Sequence, residues 1–315
     1  MLSVSIDDIR QAAERIAPYV HTTPVLNSSL INELAGCRID FKCENLQKCG
    51  AFKARGAHNA VLQLSDEQRG KGVATHSSGN HAAALSLAAS RLDCKAYVVM
   101  PQNTNAAKIA AVKSYGGEIT FCEPNMAARE KTVQEIAQSS GASLIPPYDS
   151  AHIIAGQGTA ALEFLQQVDS QLDHLITPVG GGGLLGGSAV AARAIQPSIT
   201  ISGAEPKGAD DAFQSFQSGV WQPQLSPETI ADGLRSSTGK LNFQIISDLV
   251  DDIILLEDDD IVDAMKIIWT RMKMIVEPSS AIALAAVLKN KPRFAGKHVG
   301  IILSGGNVDL STLPW

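Results

Sequence analysis

Residues Thr75–His81 read T-H-S-S-G-N-H. Two adjacent hydroxyls, a glycine and an amide beside a histidine form a group that can bind an anion, move a proton, or do both. One serine is enough to cap a helix, so the second asks for another explanation. Lys53 lies 25 residues before Ser78, in K-C-G-A-F-K-A-R-G, between Phe52 and a small residue in a Gly-flanked turn leading to a helix. An amine held beside an aromatic ring and partly out of water has a lowered pKa and suits Schiff-base chemistry. Most lysines, by contrast, are solvated surface charges. A third site is L-I-T-P-V-G-G-G-G-L-L-G-G, Leu175 to Gly187. A strand is expected to end at Val179, four glycines follow, and a helix begins. The backbone N–H groups of Gly180, Gly181, Gly182 and Gly183 can converge on a phosphate at that helix N-terminus. The alternative is a tightly packed loop, which four consecutive glycines would form at considerable cost in backbone entropy. In I-I-L-S-G-G-N a further strand ends at Ser304 and the chain turns sharply.

The elements that must position these residues alternate. Strands are expected at 38–43, 72–75, 95–100, 118–122, 144–145, 174–179, 200–204, 252–256 and 299–303. Helices are expected at 5–16, 57–63, 81–91, 104–115, 126–138, 158–167, 187–195, 258–274 and 278–288. Strand-then-helix order predicts an α/β fold of mostly parallel sheets flanked by helices. In such sheets ligands bind at the carboxyl ends of the strands. Gly180–Gly183, Ser304 and the Ser77–Asn80 loop all follow expected strands and can line one crevice. Residues 72–147 hold about four strand-helix alternations. They are expected to form a small, mobile domain inserted between residues 1–71 and 148–315, which would make a large cofactor-binding domain.

Composition excludes several classes. The chain of 315 residues has ordinary soluble-globular usage, 45% apolar and 18% charged. Its net charge of −6 and lack of a basic tract argue against nucleic acid or an anionic membrane as partner. No apolar run approaches the roughly 18 residues of a transmembrane helix, and the N-terminus lacks a basic start and an apolar signal core. Five cysteines without a C-x-x-C pair are expected to be reduced thiols in a cytoplasmic protein.

The glycine run also contains G-x-G-x-x-G at Gly181, Gly183 and Gly186, with Glu205 about twenty residues on. That is the spacing of a dinucleotide site with a ribose-binding carboxylate, so an NAD-dependent dehydrogenase stays open from the residues alone. A second near-match, G-Q-G-T-A-A at Gly156, follows no convincing long strand. A catalytically silent amino-acid or nucleotide-binding protein is a further alternative.

Taken together and in order, G-A-F-K-A-R-G, S-S-G-N-H, G-Q-G-T, G-G-G-G, A-E-P-K-G-A-D-D, E-T-I-A-D-G, V-E-P-S-S-A and S-G-G-N-V-D resemble the serine racemase and serine/threonine dehydratase group. These are fold-type-II pyridoxal-phosphate enzymes, related to the tryptophan synthase β fold. The resemblance spans about residues 6–310. It implies that Lys53 forms the Schiff base with pyridoxal 5'-phosphate and that Gly180–Gly183 hold its phosphate. It implies further that Asn80 bonds the ring oxygen, Phe52 packs near the ring, Gly233 borders the cofactor and Ser304 faces the ring nitrogen. A neutral hydroxyl there does not force that nitrogen to be protonated, so the electron sink is milder. Ser77, Ser78, Asn80 and His81 would take the substrate carboxylate. His81 can also be read as capping its own loop. Arg129 would meet a polar substrate group or a second carboxylate, or is only a helix surface charge.

The resemblance also gives the second serine a purpose. Racemisation at Cα needs a proton removed on one face and one delivered on the other. Lys53 serves one face, and Ser78 would serve the opposite one. Many dedicated threonine dehydratases resemble S-A-G-N-H instead. A hydroxyl is a poor acid and base without tuning, and Ser78 can also be read as a loop hydrogen-bonder. The implied activity is interconversion of L- and D-serine, with dehydration of serine to pyruvate and ammonia. Dehydration of L-threo-3-hydroxyaspartate or L-threonine is the alternative. Glu205, Asp211 and the carbonyl of Ala209 match the group's divalent-cation site, whose oxygens suit Mg²⁺, Ca²⁺ or Mn²⁺. A solvated acidic turn is the other reading of those residues. A homodimer is implied. ATP as activator is implied only by vertebrate racemases, with Ser28, Ser29 and Lys48 in matching segments. Ala51 and Ala82 depart from some members. Tyr148 and Asp149 in P-P-Y-D look more like fungal hydroxyaspartate dehydratases.

Overall fold

The computed structural model describes residues 2–315; Met1, the first residue of the expected large domain, lies outside them. Among the described residues there are ten strands: β1 (Val25–Asn27), β2 (Arg38–Cys43), β3 (Val73–His76), β4 (Ala96–Pro101), β5 (Glu118–Cys122), β6 (Ser143–Leu144), β7 (His174–Pro178), β8 (Thr200–Pro206), β9 (Asp252–Leu256) and β10 (His298–Leu303). The helices are α1 (Ile6–Ile16), α2 (Ser29–Ala35), α3 (Lys53–Leu62), α4 (Asp66–Lys71), α5 (Asn80–Arg91), α6 (Ala106–Ser114), α7 (Met126–Ser140), α8 (Ala151–Gln167), α9 (Gly183–Ile195), α10 (Asp211–Ser218), α11 (Lys240–Leu249), α12 (Asp258–Ile267), α13 (Pro278–Lys289) and α14 (Lys291–Phe294).

They build two sheets. One has six strands in the order β1-β2-β10-β7-β8-β9, and the other has four in the order β5-β4-β3-β6. Every pairing is parallel except β1 against β2. The four-stranded sheet is drawn wholly from Val73–Leu144, while the six-stranded sheet takes strands from both sides of that segment. The parallel α/β architecture is the expected one. Central strands such as β7 and β10 are buried along their whole length, as strands covered on both faces must be.

The sequence reading misplaced several boundaries. It missed β1, three residues with no apolar alternation, and the helices α2, α4, α10, α11 and α14. Helix α3 begins at Lys53 rather than at 57, because Gly56 does not break it. Helix α8 begins at Ala151 and runs straight through G-Q-G-T. The expected helix 258–274 ends as α12 at Ile267 and continues as a π turn to Met272, with Lys273 left-handed at φ 58°.

The glycines that read as breakers are contact points between helices. A β-carbon on Gly156 of α8 would lie 2.5 Å from the Cα of Gly56 in α3. One on Gly187 of α9 would lie 2.4 Å from the carbonyl oxygen of Ile154, and one on Gly158 would lie 2.7 Å from that of Gly187. Helices α3, α8 and α9 therefore meet backbone to backbone. Gly156→Ala is expected to destabilise the fold by about 1–3 kcal/mol through overpacking. Gly70→Ala, in open space on α4, should be neutral or stabilising by about 0.5–1 kcal/mol. Urea unfolding of the two variants checks both.

Candidate active site

A cavity of about 230 Å³ opens where the two sheets face each other. Phe52, Lys53, Ser77, Ser78, Asn80, His81, Arg129, Gly180–Gly183, Gly233 and Ser304 all line it. The residues expected to do chemistry or to hold cofactor and substrate are therefore brought to one place, whereas the three expected cation ligands and Ser28, Ser29 and Lys48 do not line the cavity. The walls come from loops after β3, β7 and β10 and from the first turns of α3, α5 and α9. This is the strand-end crevice expected of an open parallel sheet.

Lys53 is the first residue of α3, and its Nζ donates to the carbonyl of Pro147 at 2.8 Å. The ammonium also stands 5.1 Å from the centre of the Phe52 ring. Removal from water lowers its pKa to about 8, and the negative charge of Glu277 opposes that shift. The amine is thus much closer to neutrality than a surface lysine.

The glycine loop joins β7 to α9. The N–H groups of Gly180, Gly181 and Gly182 donate no hydrogen bond among the described residues. Side chains are excluded there. A β-carbon on Gly181 would fall 2.2 Å from the Tyr148 ring, and one on Gly180 would fall 2.8 Å from Leu234 Cα. Gly182 sits at φ 85°. Free donors at the start of a thirteen-residue helix make an anion cradle.

The serine loop behaves unequally. Ser77 Oγ accepts the N–H of Gly79 at 3.4 Å. Ser78 Oγ makes no hydrogen bond among the described residues, so the local loop bond belongs to the first serine and not the second. Asn80 is held from two sides. Its Nδ2 donates to Glu277 at 2.9 Å, and its Oδ1 accepts from Asn307 at 2.9 Å. His81 turns inward, 2% exposed, with Nε2 donating to the Ile145 carbonyl at 3.2 Å. Burial drives its pKa to about 3, so the ring is neutral. Arg129 faces the cavity beside Met126, and its buried Nε has no partner.

The sequence reading did not assign Glu277. It is the N-cap of α13, directly before Pro278, and its carboxylate is buried against Asn80. Desolvation raises its pKa to about 7. The sequence signal for it is the acid preceding the helix-starting proline in V-E-P-S-S-A.

The expected cation ligands lie outside the cavity lining. Glu205, at the end of β8, is fully buried and accepts the N–H groups of Ala212 at 2.9 Å and Phe213 at 2.8 Å. Its carboxylate does not reach the cavity, which removes the ribose role of the dinucleotide reading. Asp211 is 4% exposed, and its Oδ1 has no partner. Ala209 is buried in the turn between them. Burial raises the pKa of Glu205 well above the carboxylate range, with Asp211 adding repulsion, and burial raises Asp211 to about 6. No group of three or more His, Cys, Asp or Glu side chains converges on one point among the described residues. A cation here would have two carboxylates and a carbonyl.

Lysine, anion cradle and flanking ring fit pyridoxal phosphate, and residues 16–305 match the family described as pyridoxal-phosphate dependent enzyme. The chain belongs to that family. Among its relatives, the serine racemase of Dictyostelium discoideum is 50% identical over 99% of this chain and 98% of that protein. The β-hydroxyaspartate dehydratase of Paracoccus denitrificans is 46% identical over 98% of each. The structure of maize serine racemase superposes with a TM-score of 0.96 at 50% identity, covering 99% of this chain and 96% of that one.

Only the neutral amine of Lys53 can attack the cofactor's aldehyde, so attachment should quicken as pH rises through about 8. An ordinary lysine would put that midpoint near 10.5. The rate at which the visible absorbance band develops after mixing cofactor-free protein with pyridoxal phosphate, measured across pH, tests this.

Proposed function

We propose that this chain is a serine racemase that also dehydrates serine. The observation that carries the reading is the free Ser78 hydroxyl in the same cavity as the near-neutral Lys53 amine. Bound pyridoxal phosphate supplies an electron sink that makes the substrate Cα proton acidic. Lys53 holds the cofactor and, once released, takes or returns the proton on one face. Ser78 supplies the other face. Gly180–Gly183 bind the phosphate through their free N–H groups. Asn80, whose Nδ2 donates to both carboxylate oxygens of Glu277 at 2.9 and 3.2 Å, would hydrogen-bond the cofactor's ring oxygen. Phe52 would pack near the ring, and Gly233, whose N–H donates to Ser279 at 2.9 Å, would border the cofactor. Ser304, which also lines the cavity, would face the ring nitrogen as a neutral partner. Ser77 and the N-terminus of α5, where His81 fixes the first turn, receive the substrate carboxylate.

A second reading, dehydration of L-threo-3-hydroxyaspartate, is favoured by one observation. The unpaired Arg129 at the cavity suits a second carboxylate on the substrate. L-Threonine offers no such group.

Glu205, Asp211 and the Ala209 carbonyl are read as a site for Mg²⁺, Ca²⁺ or Mn²⁺. The partnerless Asp211 Oδ1 and the mutual repulsion of two buried acids support it. Small β-hydroxy amino acids are taken as substrates and a homodimer as the working form. ATP, acting near Ser28, Ser29 and Lys48, is a candidate activator. The Ser28 hydroxyl already caps α2 by accepting from Ile31 at 3.4 Å. Five unpaired cysteines support a cytoplasmic setting, and among the described residues no helix is long and apolar enough to cross a membrane.

Given L-serine and Mg²⁺, the protein should form D-serine by chiral chromatography and pyruvate by coupled assay. Ser78→Ala should lose D-serine by at least about a hundredfold, the lower end of acid–base contributions, and retain pyruvate formation. D-serine from that variant at the wild-type rate removes Ser78 from the mechanism, and wild-type turnover of 3-hydroxyaspartate alone selects the second reading. Cation removal gives a separate check. Asp211 has a folded pKa raised from 3.8 to about 6, so it disfavours the folded state increasingly as pH rises across that interval. Chelated protein should therefore lose thermal stability from pH 4 to 6 on account of this residue, and Mg²⁺ should restore more at pH 7.5 than at pH 5. Equal Mg²⁺ effects at both pH values count against the site.

A further inference from the structure

An irregular segment, Ser237–Gly239, runs between the glycine loop and the two buried carboxylates. Thr238 at its centre is 1% exposed, and all its polar groups are committed. Its N–H donates to Asp211 Oδ2 at 2.7 Å. Its hydroxyl donates to the Gly180 carbonyl at 3.1 Å, and its carbonyl accepts from Trp221 Nε1 at 2.7 Å. The next N–H, of Gly239, donates to the Gly181 carbonyl at 3.1 Å, which also accepts from Asn242 Nδ2 at 2.8 Å.

These bonds fix where the loop's free donors point. In a trans peptide the carbonyl and the following N–H lie in one plane and aim in opposite directions. Holding the Gly180 carbonyl at Thr238 therefore aims the Gly181 N–H away from Thr238. Holding the Gly181 carbonyl at Gly239 and Asn242 does the same for Gly182. Both N–H groups are among those with no acceptor among the described residues.

We propose that Thr238 is a positioning residue that couples the carboxylate pair to the phosphate cradle, so that a divalent cation and the cofactor raise each other's affinity. The inference rests on the cation reading above. Without a cation, Asp211 Oδ1 has no partner among the described residues to hold it. A divalent cation draws both carboxylates to one point. Asp211 then presents a fixed Oδ2 to Thr238, and Thr238 cannot shift without turning the Gly180 peptide.

The test is linkage on the full-length protein. Pyridoxal phosphate affinity is titrated with and without Mg²⁺, and Mg²⁺ affinity is measured by calorimetry with and without cofactor. In the wild type both affinities should change by the same factor, about tenfold, since coupling is reciprocal. Thr238→Val keeps the volume and loses the donor to Gly180. It should bring the factor towards one while Mg²⁺ still binds, and Thr238→Ser should keep it. A valine variant with the wild-type factor overturns the proposal, as does a wild type that binds Mg²⁺ with no change in cofactor affinity. A wild type that binds no Mg²⁺ overturns the cation reading and this inference with it. The wild-type linkage decides the matter alone if the valine variant does not fold.

Discussion

The site depends on three helices touching without side chains between them. Lys53 starts α3 and Gly183 starts α9, and α8 lies against both through Gly56, Gly156, Gly158 and Gly187. Ordinary helix pairs are 8–10 Å apart, and the distance varies with whatever side chains intervene. A backbone contact removes that variable. The separation between the lysine and the anion cradle is then set by atoms present in every residue, and it tolerates side-chain change elsewhere.

Around this frame the protein places ionisable groups where water cannot reach them, and each is pushed towards its neutral form. Lys53 and His81 are lowered, and Glu277, Glu205 and Asp211 are raised. The exception shows the contrast. Arg55, two residues beyond Lys53, is buried but has Glu44 and Glu163 for all but one of its bonds, and its pKa goes up. Arg55 keeps its charge among acidic partners, whereas Lys53, His81 and Glu277 at the cavity are pushed towards neutrality. Groups near neutrality are those that exchange protons most readily.

Much of this was legible in the sequence because its signals are local. Alternating apolar runs gave the parallel sheets, and the order of eight motifs gave the cavity. What the sequence hid was non-local. Gly56 and Gly156 look like helix breakers until each is seen to need the other, 100 residues apart. Glu277 gains its partner Asn80 across 197 residues, and no spacing rule pairs them. Helices α10 and α11 are short, at eight and ten residues. Glu205 fitted a ribose site by distance along the chain, and only its burial beside Asp211 distinguishes the two roles.

The Ser78 hydroxyl forms no hydrogen bond among the described residues, so its removal costs the fold none. Most residues at such a site are tied to their neighbours, and an exchange there disturbs packing before it alters chemistry. This position is uncoupled. On the role proposed for Ser78, exchanging serine and alanine here would add or remove one stereochemical outcome without breaking a hydrogen bond of the fold.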